Sequence, residues 1–277
     1  MDSETIKKSV REHYASVARN EGGCCASPGV AATNCCGVAD VGTLGKIIGY
    51  SDEEMAAVPE GANLGLGCGN PLALAELKEG DVVVDLGSGA GFDCFIAAPR
   101  VGPSGRVIGV DMTPDMIERA RGNARKAGVA NAEFRLGEIE HLPIADNFAD
   151  MVISNCVINL STDKPQVFRE ALRVLRPGGR LMVSDLVLLR PLPESVRNSV
   201  EAYAGCISGA MLKEDYLQAM RDAGFSSVEI LAESGYPIGA INPDTSELAA
   251  LAEGLPPQDV ADAADSVVSV KVRAFKR

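Results

Sequence analysis

The sequence predicts an α/β protein built around one mostly parallel sheet, and three observations support this prediction. Residues 82–84 are three consecutive valines, which have the β-branched, wholly apolar character of a strand buried on both faces. Strand-like and helix-like segments then alternate along the chain, as they do in parallel sheets with crossover helices. Two late segments of alternating polarity, at about 225–231 and 266–275, can complete the sheet as an antiparallel pair. We therefore expect seven strands.

The region before the valine run is predicted to be helical and rich in cysteine. Apolar side chains recur three or four residues apart over residues 4–20, which indicates an amphipathic helix. A segment of about 21–43 follows, with many small and polar residues, and we expect it to be flexible. Ser51 and Glu54 form a capping-box pattern that opens a short helix. Pro71 suits the first turn of a further helix that runs to Leu77.

The remaining core elements follow the valine run in order. One helix is expected to start at Pro114 and end at Gly128, and another to start near Asp163 and end before a Pro-Gly-Gly turn. An Ala-rich helix is expected near 245–253, within a region of about 190–265 that forms either a lid or a separate small domain. The later parallel strands are predicted at 106–111, 132–136, 150–154 and 180–189.

Composition limits the classes of partner. The 277 residues carry a formal charge of −12 and a pI near 4.7, and such an acidic surface argues against nucleic acid and anionic membranes as partners. The chain has no apolar run long enough to cross a membrane, and its acidic, polar start is unlike a signal sequence. We therefore expect a cytoplasmic protein whose eight cysteines are reduced thiols at rest rather than a disulfide framework.

The loop after the first strand carries alternating glycines. Asp85 is the first charged residue after the valines, and Gly87, Gly89 and Gly91 follow at every second position. Glycine adopts positive φ and lets the backbone approach a ligand closely, and the next helix offers free N–H groups at its start. The loop is therefore a candidate cofactor cradle. Its spacing is one residue shorter than the dinucleotide fingerprint Gly-x-Gly-x-x-Gly.

The sequence Asp-Leu-Gly-Ser-Gly-Ala-Gly at 85–91 resembles the first motif of class I S-adenosylmethionine-dependent methyltransferases. The Leu-Arg-Pro-Gly-Gly turn at 175–179 adds to this resemblance, because a Leu-x-Pro-Gly-Gly turn recurs in the small-molecule members. The resemblance implies a Rossmann-like class I methyltransferase sheet in which Asp111 binds the ribose, Glu138 contacts the adenine edge and Asn155 lies near the methionine part. The implied cofactor-binding residues are Asp85, Gly87, Ser88, Gly89, Asp111, Met112, Glu138, Ile139 and Asn155.

Three cysteines lie where α/β sheets place their ligands, beyond the carboxyl ends of the strands. Cys156 follows the fourth parallel strand, Cys206 lies in a glycine-flanked stretch after the fifth, and Cys68 lies in its own glycine-rich loop. A single cysteine is most often a small buried hydrophobic residue. Three in loops near one sheet edge instead indicate a soft, thiophilic ligand, because thiolates select such centres. Trivalent arsenic bound by three sulfurs fits this description.

Four segments together resemble the arsenite methyltransferase family: Asn-Leu-Gly-Leu-Gly-Cys-Gly-Asn-Pro at 63–71, the glycine loop at 85–94, Ser-Asn-Cys-Val-Ile-Asn-Leu at 154–160 and Gly-Cys-Ile-Ser-Gly-Ala at 205–210. The resemblance implies that Cys156 and Cys206 bind As(III), with Cys68 as a third thiol. It also implies in-line methyl transfer to the arsenic lone pair without a general base, so His13 and His141 are expected to be surface residues.

Methylation raises arsenic from As(III) to As(V), so a reduction must precede each further round. The resemblance implies that enzyme cysteines form a transient disulfide, which glutathione or thioredoxin then reduces. The remaining cysteine of the family follows the first helix, where Cys24 and Cys25 both match it, and we expect Cys68 to pair with one of them. Cys35 and Cys36 receive no role from the motifs.

Three segments follow from this interpretation. Residues 1–65 form a helical, cysteine-rich substrate and redox segment, 66–190 form the S-adenosylmethionine-binding domain, and 191–277 form a cap region with the last two strands. The expected function is arsenic detoxification by methyl transfer to arsenite and methylarsenite. Two alternatives stay open: a C- or O-methyltransferase of a small metabolite such as a quinone, and a thiol-rich metalloid sensor or buffer.

Overall fold

The computed structural model describes residues 3–19, 41–197, 203, 206–235 and 256–277. Ahead of the sheet, Ser51 and Glu54 form the predicted capping box, in which each side chain accepts a hydrogen bond from the other residue's N–H, at 3.1 and 2.8 Å. Residues 21–40 of the segment predicted at about 21–43 lie outside the described residues. The helix expected near 245–253 also lies outside them. The elements ahead of the sheet are α1 (Ser3–Arg19), α2 (Val41–Ile47), α3 (Asp52–Ala56) and a 3₁₀ helix at Pro71–Leu74.

The core is a seven-stranded sheet, with strands numbered in chain order and arranged β3-β2-β1-β4-β5-β7-β6. Strands β1 to β5 are parallel, while β7 runs antiparallel to both β5 and β6, which confirms the predicted fold class. The strands are β1 (Val82–Leu86), β2 (Arg106–Asp111), β3 (Ala132–Leu136), β4 (Ala149–Asn155), β5 (Leu175–Leu188), β6 (Ser226–Gly235) and β7 (Val267–Phe275). The helices that accompany them are α4 (Phe92–Val101), α5 (Pro114–Ala127), α6 (Lys164–Val174), α7 (Glu194–Arg197), α8 (Lys213–Asp222) and α9 (Pro257–Ala264).

Several elements of the described residues differ from the prediction. Helices α2, α7 and α8 were not predicted, and three further differences have local causes. The helix expected over 71–77 ends at Leu74, because Glu76 adopts a φ of +45° that a right-handed helix does not include. Strand β5 begins before residue 180, since the turn ahead of it pairs with the end of the chain: Gly178 donates to the Lys276 carbonyl and Lys276 donates to the Gly179 carbonyl, both at 2.9 Å. Helix α9 was not predicted, because the two prolines at its start indicated irregular chain.

The valine run lies in the middle of the sheet and is buried on both faces. Val84 packs in one apolar cluster with Phe168 of α6, whereas Val83 packs in another with Phe95 of α4. Successive strand residues point to opposite faces, so both faces of β1 need apolar side chains. This two-sided burial is the reason that the run reads as continuously apolar rather than alternating.

The order of the strands determines where a ligand can bind. The parallel strands end at one edge of the sheet, and the strand order reverses between β1 and β4, which opens a crevice at that edge. Helix α1 packs against α5 beside this crevice, and Arg119 of α5 donates to the carbonyl of Ala18 at 2.7 Å. Among the helices of the described ranges, none is long and apolar enough to span a bilayer.

Candidate active site

The glycine loop after β1 forms the floor of a cleft at the carboxyl edge of the sheet. Gly87 and Gly89 have φ of +64° and +51°, in the left-handed region that favours glycine. A Cβ on Gly87 would lie 2.2 Å from the side chain of Val157, so this position also excludes other residues by contact. A Cβ on Gly89 would meet no atom within 4 Å, because it would point into the open space of the cleft. The loop therefore leaves room for a ligand against its backbone.

The cleft contains about 1170 Å³ of space between protein atoms, including its open mouth. Helix α1 contributes Lys7, Val10 and Tyr14 to its wall. Glu138 is not among the lining residues; its carboxylate pairs with Lys7 at 2.6 Å, while its neighbour Ile139 lines the cleft. The other residues of the predicted cofactor set all line it, and they are Asp85, Gly87, Ser88, Gly89, Asp111, Met112 and Asn155.

Asp111 ends β2 and is held by backbone donors. Its carboxylate accepts hydrogen bonds from the N–H of Gly89 at 3.0 Å and of Thr113 at 2.8 Å. Burial raises the pKa of Asp111, and these two hydrogen bonds oppose that rise. Each carboxylate oxygen keeps a further lone pair, so the side chain can still accept hydrogen bonds from a ligand in the cleft.

Two more carboxylates line the cleft near the start of α4. Asp93 accepts hydrogen bonds from the hydroxyl of Tyr50 at 2.6 Å and from the amide of Asn155 at 3.0 Å, and burial raises its pKa to about 6. Burial, together with the nearby charge of Asp93, raises the pKa of Asp85 well above its usual range. Sequence reasoning missed Tyr50 and Asp93; the available signal was an acid in the first turn of the helix that follows the glycine loop.

The cleft fits S-adenosylmethionine. The hydroxyl oxygen of Ser88 is buried and has no hydrogen-bond partner among the described residues, so a ligand that donates there would satisfy it. Acidic side chains line the cleft, namely Asp85, Asp93, Asp111 and Glu140, and they favour a ligand that carries positive charge. S-adenosylmethionine is such a ligand, with a positively charged sulfur.

Cys68 and Cys156 are joined by a disulfide, with their Cα atoms 5.7 Å apart. This corrects the expectation that the cysteines are all reduced at rest. The expected transient pairing of Cys68 with Cys24 or Cys25 stays a prediction. The backbone N–H of Cys68 donates to the side-chain oxygen of Asn155 at 3.2 Å, which holds the Cys68 loop beside Cys156. Cys24, Cys25, Cys35 and Cys36 lie outside the described residues.

Cys206 lies next to this disulfide. Its sulfur donates a hydrogen bond to the carbonyl oxygen of Cys156 at 2.8 Å, and all three cysteines share one apolar cluster. Cys156 and Cys206 have φ of +59° and +61°, a region that non-glycine residues adopt uncommonly and that clusters at functional sites. Cys156 also lines the cleft. The structure thus brings together the three cysteines that the sequence separates by up to 138 positions, counted from 68 to 206.

A buried carboxylate and a buried amine lie close to the cysteines, and sequence reasoning missed both. Asp185 of β5 is fully buried, and burial raises its pKa to about 7. Lys164, at the start of α6, is 9% exposed and donates to the Ser161 carbonyl at 2.8 Å. Burial lowers the pKa of Lys164, an effect that the negative charges of Asp185 and Cys206 oppose. The signal for Asp185 was a lone acid inside the apolar run of the fifth strand.

Comparisons with known proteins agree with this geometry. Residues 77–224 match the family described as "Methyltransferase domain". The arsenite methyltransferase of Halobacterium salinarum is 48% identical over 83% of this chain and 59% of its own length, and that of Homo sapiens is 39% identical over 57% and 44%. The chain thus spans about half the length of these curated relatives.

The solved structures include the arsenic(III) S-adenosylmethionine methyltransferase of Chlamydomonas reinhardtii. It is 34% identical to this chain, covers 84% of it and 73% of its own chain, and superposes with a TM-score of 0.62. The domain match covers more than half of the 277 residues and contains the glycine loop and Cys156. The chain therefore belongs to the methyltransferase-domain family, in the group related to the arsenite methyltransferases.

Proposed function

We propose that this chain methylates trivalent arsenic that is bound by cysteine thiols, with S-adenosylmethionine as the methyl donor. The observation that carries the proposal is the convergence of Cys68, Cys156 and Cys206 in one cluster beside the cofactor cleft, with Cys156 in the wall of the cleft. Cys156 belongs to both sites, because it lines the cleft and is bonded to Cys68. Thiols are soft ligands that suit a thiophilic centre, whereas a quinone has no need of them.

The residues of the cleft would hold the donor in a fixed orientation. When bound, S-adenosylmethionine supplies an electrophilic methyl group on a positively charged sulfur. Asp111 accepts hydrogen bonds from the ribose hydroxyls, and the backbone of Gly87 and Gly89 approaches the ligand closely. Ser88, Met112, Ile139 and Asn155 complete the set from the same edge of the sheet. Glu138 acts from outside the cleft, through its ion pair with Lys7.

The reduced thiols would bind arsenite by exchange of ligands. As each As–S bond forms, an As–O bond breaks, and the thiol proton leaves with the hydroxide as water. Three As–S bonds leave the arsenic lone pair free to attack the methyl group. This step needs no general base, and neither His13 nor His141 lines the cleft. Holding the reactants in attack geometry contributes on the order of 7–11 kcal/mol to the lowering of the barrier when alignment is good.

Enzyme thiols supply electrons between rounds of methylation. Two of the arsenic-bound cysteine sulfurs reduce As(V) to As(III): their two As–S bonds break, one S–S bond forms, and the remaining electron pair returns to arsenic, which takes up a hydroxide from water. The Cys68–Cys156 bond supports this step, because it shows that Cys68 reaches a partner thiol at the wall of the cleft. An external dithiol or glutathione then restores the two thiols and is itself oxidised to a disulfide. Thioredoxin is the proposed protein partner, and Cys24 or Cys25 is the further candidate thiol.

Product analysis tests the proposal. The reduced protein is incubated with arsenite, S-adenosylmethionine and glutathione, and the arsenic species are separated and identified. We expect methylated arsenic from the wild type, and none above background from Cys156→Ser or Cys206→Ser. Cys94→Ser is the control, because Cys94 does not line the cleft and a serine hydroxyl keeps a donor for Asp85, to which the Cys94 thiol donates at 3.2 Å. Wild-type product levels in both Cys156→Ser and Cys206→Ser would contradict the proposal.

A further inference from the structure

A carboxylate lies beside the two bonded sulfurs and has no part in the proposed methyl transfer. Sulfur atoms of Cys68 and Cys156 and a carboxylate oxygen of Asp185 all lie within 4.8 Å of one another, and all three residues are buried. We infer that, after reduction of the disulfide, these two thiolates and this carboxylate bind one divalent cation of borderline softness, such as Zn²⁺.

Asp185 is held in place by donors that leave it able to bind a cation. One carboxylate oxygen accepts from the Asn159 amide and the Leu186 N–H, both at 2.9 Å, and the other accepts from the Tyr216 hydroxyl at 3.1 Å. A carboxylate oxygen has two lone pairs, so the oxygen bound to Tyr216 keeps one. Such outer hydrogen bonds orient the ligands of metal sites and are part of their design.

The donor set matches the preference of Zn²⁺. Zinc binds cysteine sulfur at about 2.3 Å and carboxylate oxygen at about 2.0–2.2 Å, and three protein ligands leave a fourth position open. Two thiolates and one carboxylate would leave a single negative charge around the cation. The buried ammonium of Lys164, which interacts electrostatically with Asp185, offsets that charge.

Two residues next to this cluster carry unpartnered polar atoms. The side-chain oxygens of Asn159 and Ser184 are buried and have no hydrogen-bond partner among the described residues. Both belong to the cluster's immediate surroundings, because Asn159 donates to Asp185 and the Ser184 carbonyl accepts from the Cys156 N–H at 2.9 Å. A buried polar group without a partner costs free energy, so this region is suited to a polar or charged occupant.

The inferred cation site shares Cys68 and Cys156 with the proposed arsenite site but does not depend on methyl transfer. Arsenite needs the thiols and makes no use of the carboxylate, whereas Zn²⁺ uses all three groups. The two ligands therefore exclude each other. A bound cation would prevent arsenite from binding these thiols. Substitution of Asp185 would weaken the binding of the cation but not the binding of arsenite.

Zinc titration of the full chain tests the inference. A trialkylphosphine reduces the disulfide, with water supplying the thiol protons and the phosphine becoming its oxide, and it is then removed without oxygen. Zn²⁺ alone is titrated against a chromogenic chelator, with no arsenite or S-adenosylmethionine present. We expect one tightly bound Zn²⁺, lost in Cys68→Ser and Cys156→Ser. Asp185→Asn should lower the affinity for Zn²⁺ at least about tenfold, because loss of even a hydrogen-bond partner of a metal ligand lowers metal affinity by about 10–100-fold.

Asp150→Asn is the matched control, because Asp150 is a buried sheet carboxylate at the opposite end of β4, where it accepts from the Val82 N–H at 2.7 Å. X-ray absorption of zinc-loaded wild type gives a measure that needs no variant, and we expect two sulfur and two light-atom neighbours. Three or four sulfurs, or equal zinc affinity in folded Asp185→Asn, would overturn the inference. Arsenite binding by Asp185→Asn is measured alongside, so failure of the arsenite site would be seen separately.

Discussion

The side-chain oxygen of Asn155 accepts a hydrogen bond from the backbone N–H of Cys68 at 3.2 Å, across 87 residues of sequence. Asn155 directly precedes Cys156, so one residue fixes the positions of both cysteines of the disulfide. Its amide nitrogen lies 2.8 Å from the Gly69 carbonyl and 3.0 Å from the Asp93 carboxylate. Asn155 thus connects the Cys68 loop to the cofactor cleft, and it is a positioning residue as well as a candidate ligand contact.

Replacing Asn155 by alanine should separate the two cysteines. The variant removes the partner of the Cys68 N–H, the amide donor to the Gly69 carbonyl and one of the two hydrogen bonds to Asp93, and each buried group left unsatisfied costs about 1–3 kcal/mol. We expect a lower free energy of unfolding and slower formation of the Cys68–Cys156 disulfide on reoxidation, followed by thiol titration. Asn131→Ala is the control, because Asn131 donates to two carbonyls, of Ala98 and Gly102, away from the cysteines. Equal reoxidation rates in the two variants would contradict this role for Asn155.

Lys7 of α1 should affect cofactor affinity from the rim of the cleft. Its ammonium lies 2.6 Å from Glu138 and 3.5 Å from Glu140, and its side chain is 14% exposed. These ion pairs attach α1 to the cleft, so Lys7→Met should loosen the wall that α1 forms with Val10 and Tyr14. We expect the loss of this wall to outweigh the loss of a positive charge and to weaken S-adenosylmethionine binding by about 1–2 kcal/mol, a factor of roughly 5–30. Calorimetry measures this affinity. Lys8→Met is the control, because the Lys8 side chain is 72% exposed. Equal affinities of the Lys7 and Lys8 variants would contradict a role for the α1 contact.

The sequence allowed most of the sheet to be predicted, because local pattern and burial coincide there. Strands β2 and β3 have the predicted bounds, and the capping box at Ser51 depends only on residues three positions apart. The glycine loop was predictable for the same reason, since its φ values require glycine locally.

The contacts between distant segments were not predictable from local pattern. The bond from Cys68 to Cys156 depends on how the loop at 63–71 packs against the end of β4, and no spacing rule contains that information. Tyr50 and Asp93 meet in the cleft for the same kind of reason, and Asp185 reaches the sulfurs from the middle of an apolar strand. Each of these residues acts through a neighbour that is remote in sequence.

Asp93 should make stability depend on pH. Burial raises its folded pKa to about 6 from the ordinary 3.8, so the folded state binds the proton more tightly than the unfolded state. The contribution of Asp93 to the free energy of unfolding should therefore fall by on the order of 3 kcal/mol as pH rises from about 4 to 6. Asp93→Asn should make the slope shallower in urea denaturation at stepped pH, while Asp85, Asp111 and Asp185, whose pKa values are also raised, keep the rest of it. Asp265→Asn, at an 81% exposed side chain, should keep the full slope, and an unchanged slope in Asp93→Asn would contradict the assignment.

Reduction of the Cys68–Cys156 disulfide should destabilise the fold while preparing the thiols for a ligand. The bond joins residues separated by 88 positions, and a disulfide that closes a long loop restricts the unfolded chain, typically by about 2–4 kcal/mol of stability. Urea denaturation of oxidised and phosphine-reduced wild type should differ by this amount. Cys68→Ala should show no response to the reductant, whereas Cys94→Ala should respond as the wild type does. If reduction left wild-type stability unchanged, the bond would not stabilise the fold by restricting the unfolded chain. A loss of stability on reduction means that any ligand which binds the freed thiols also restores stability, by mass action on the folded state. Arsenite should therefore raise the unfolding midpoint of the reduced wild type and have a smaller effect on Cys68→Ala.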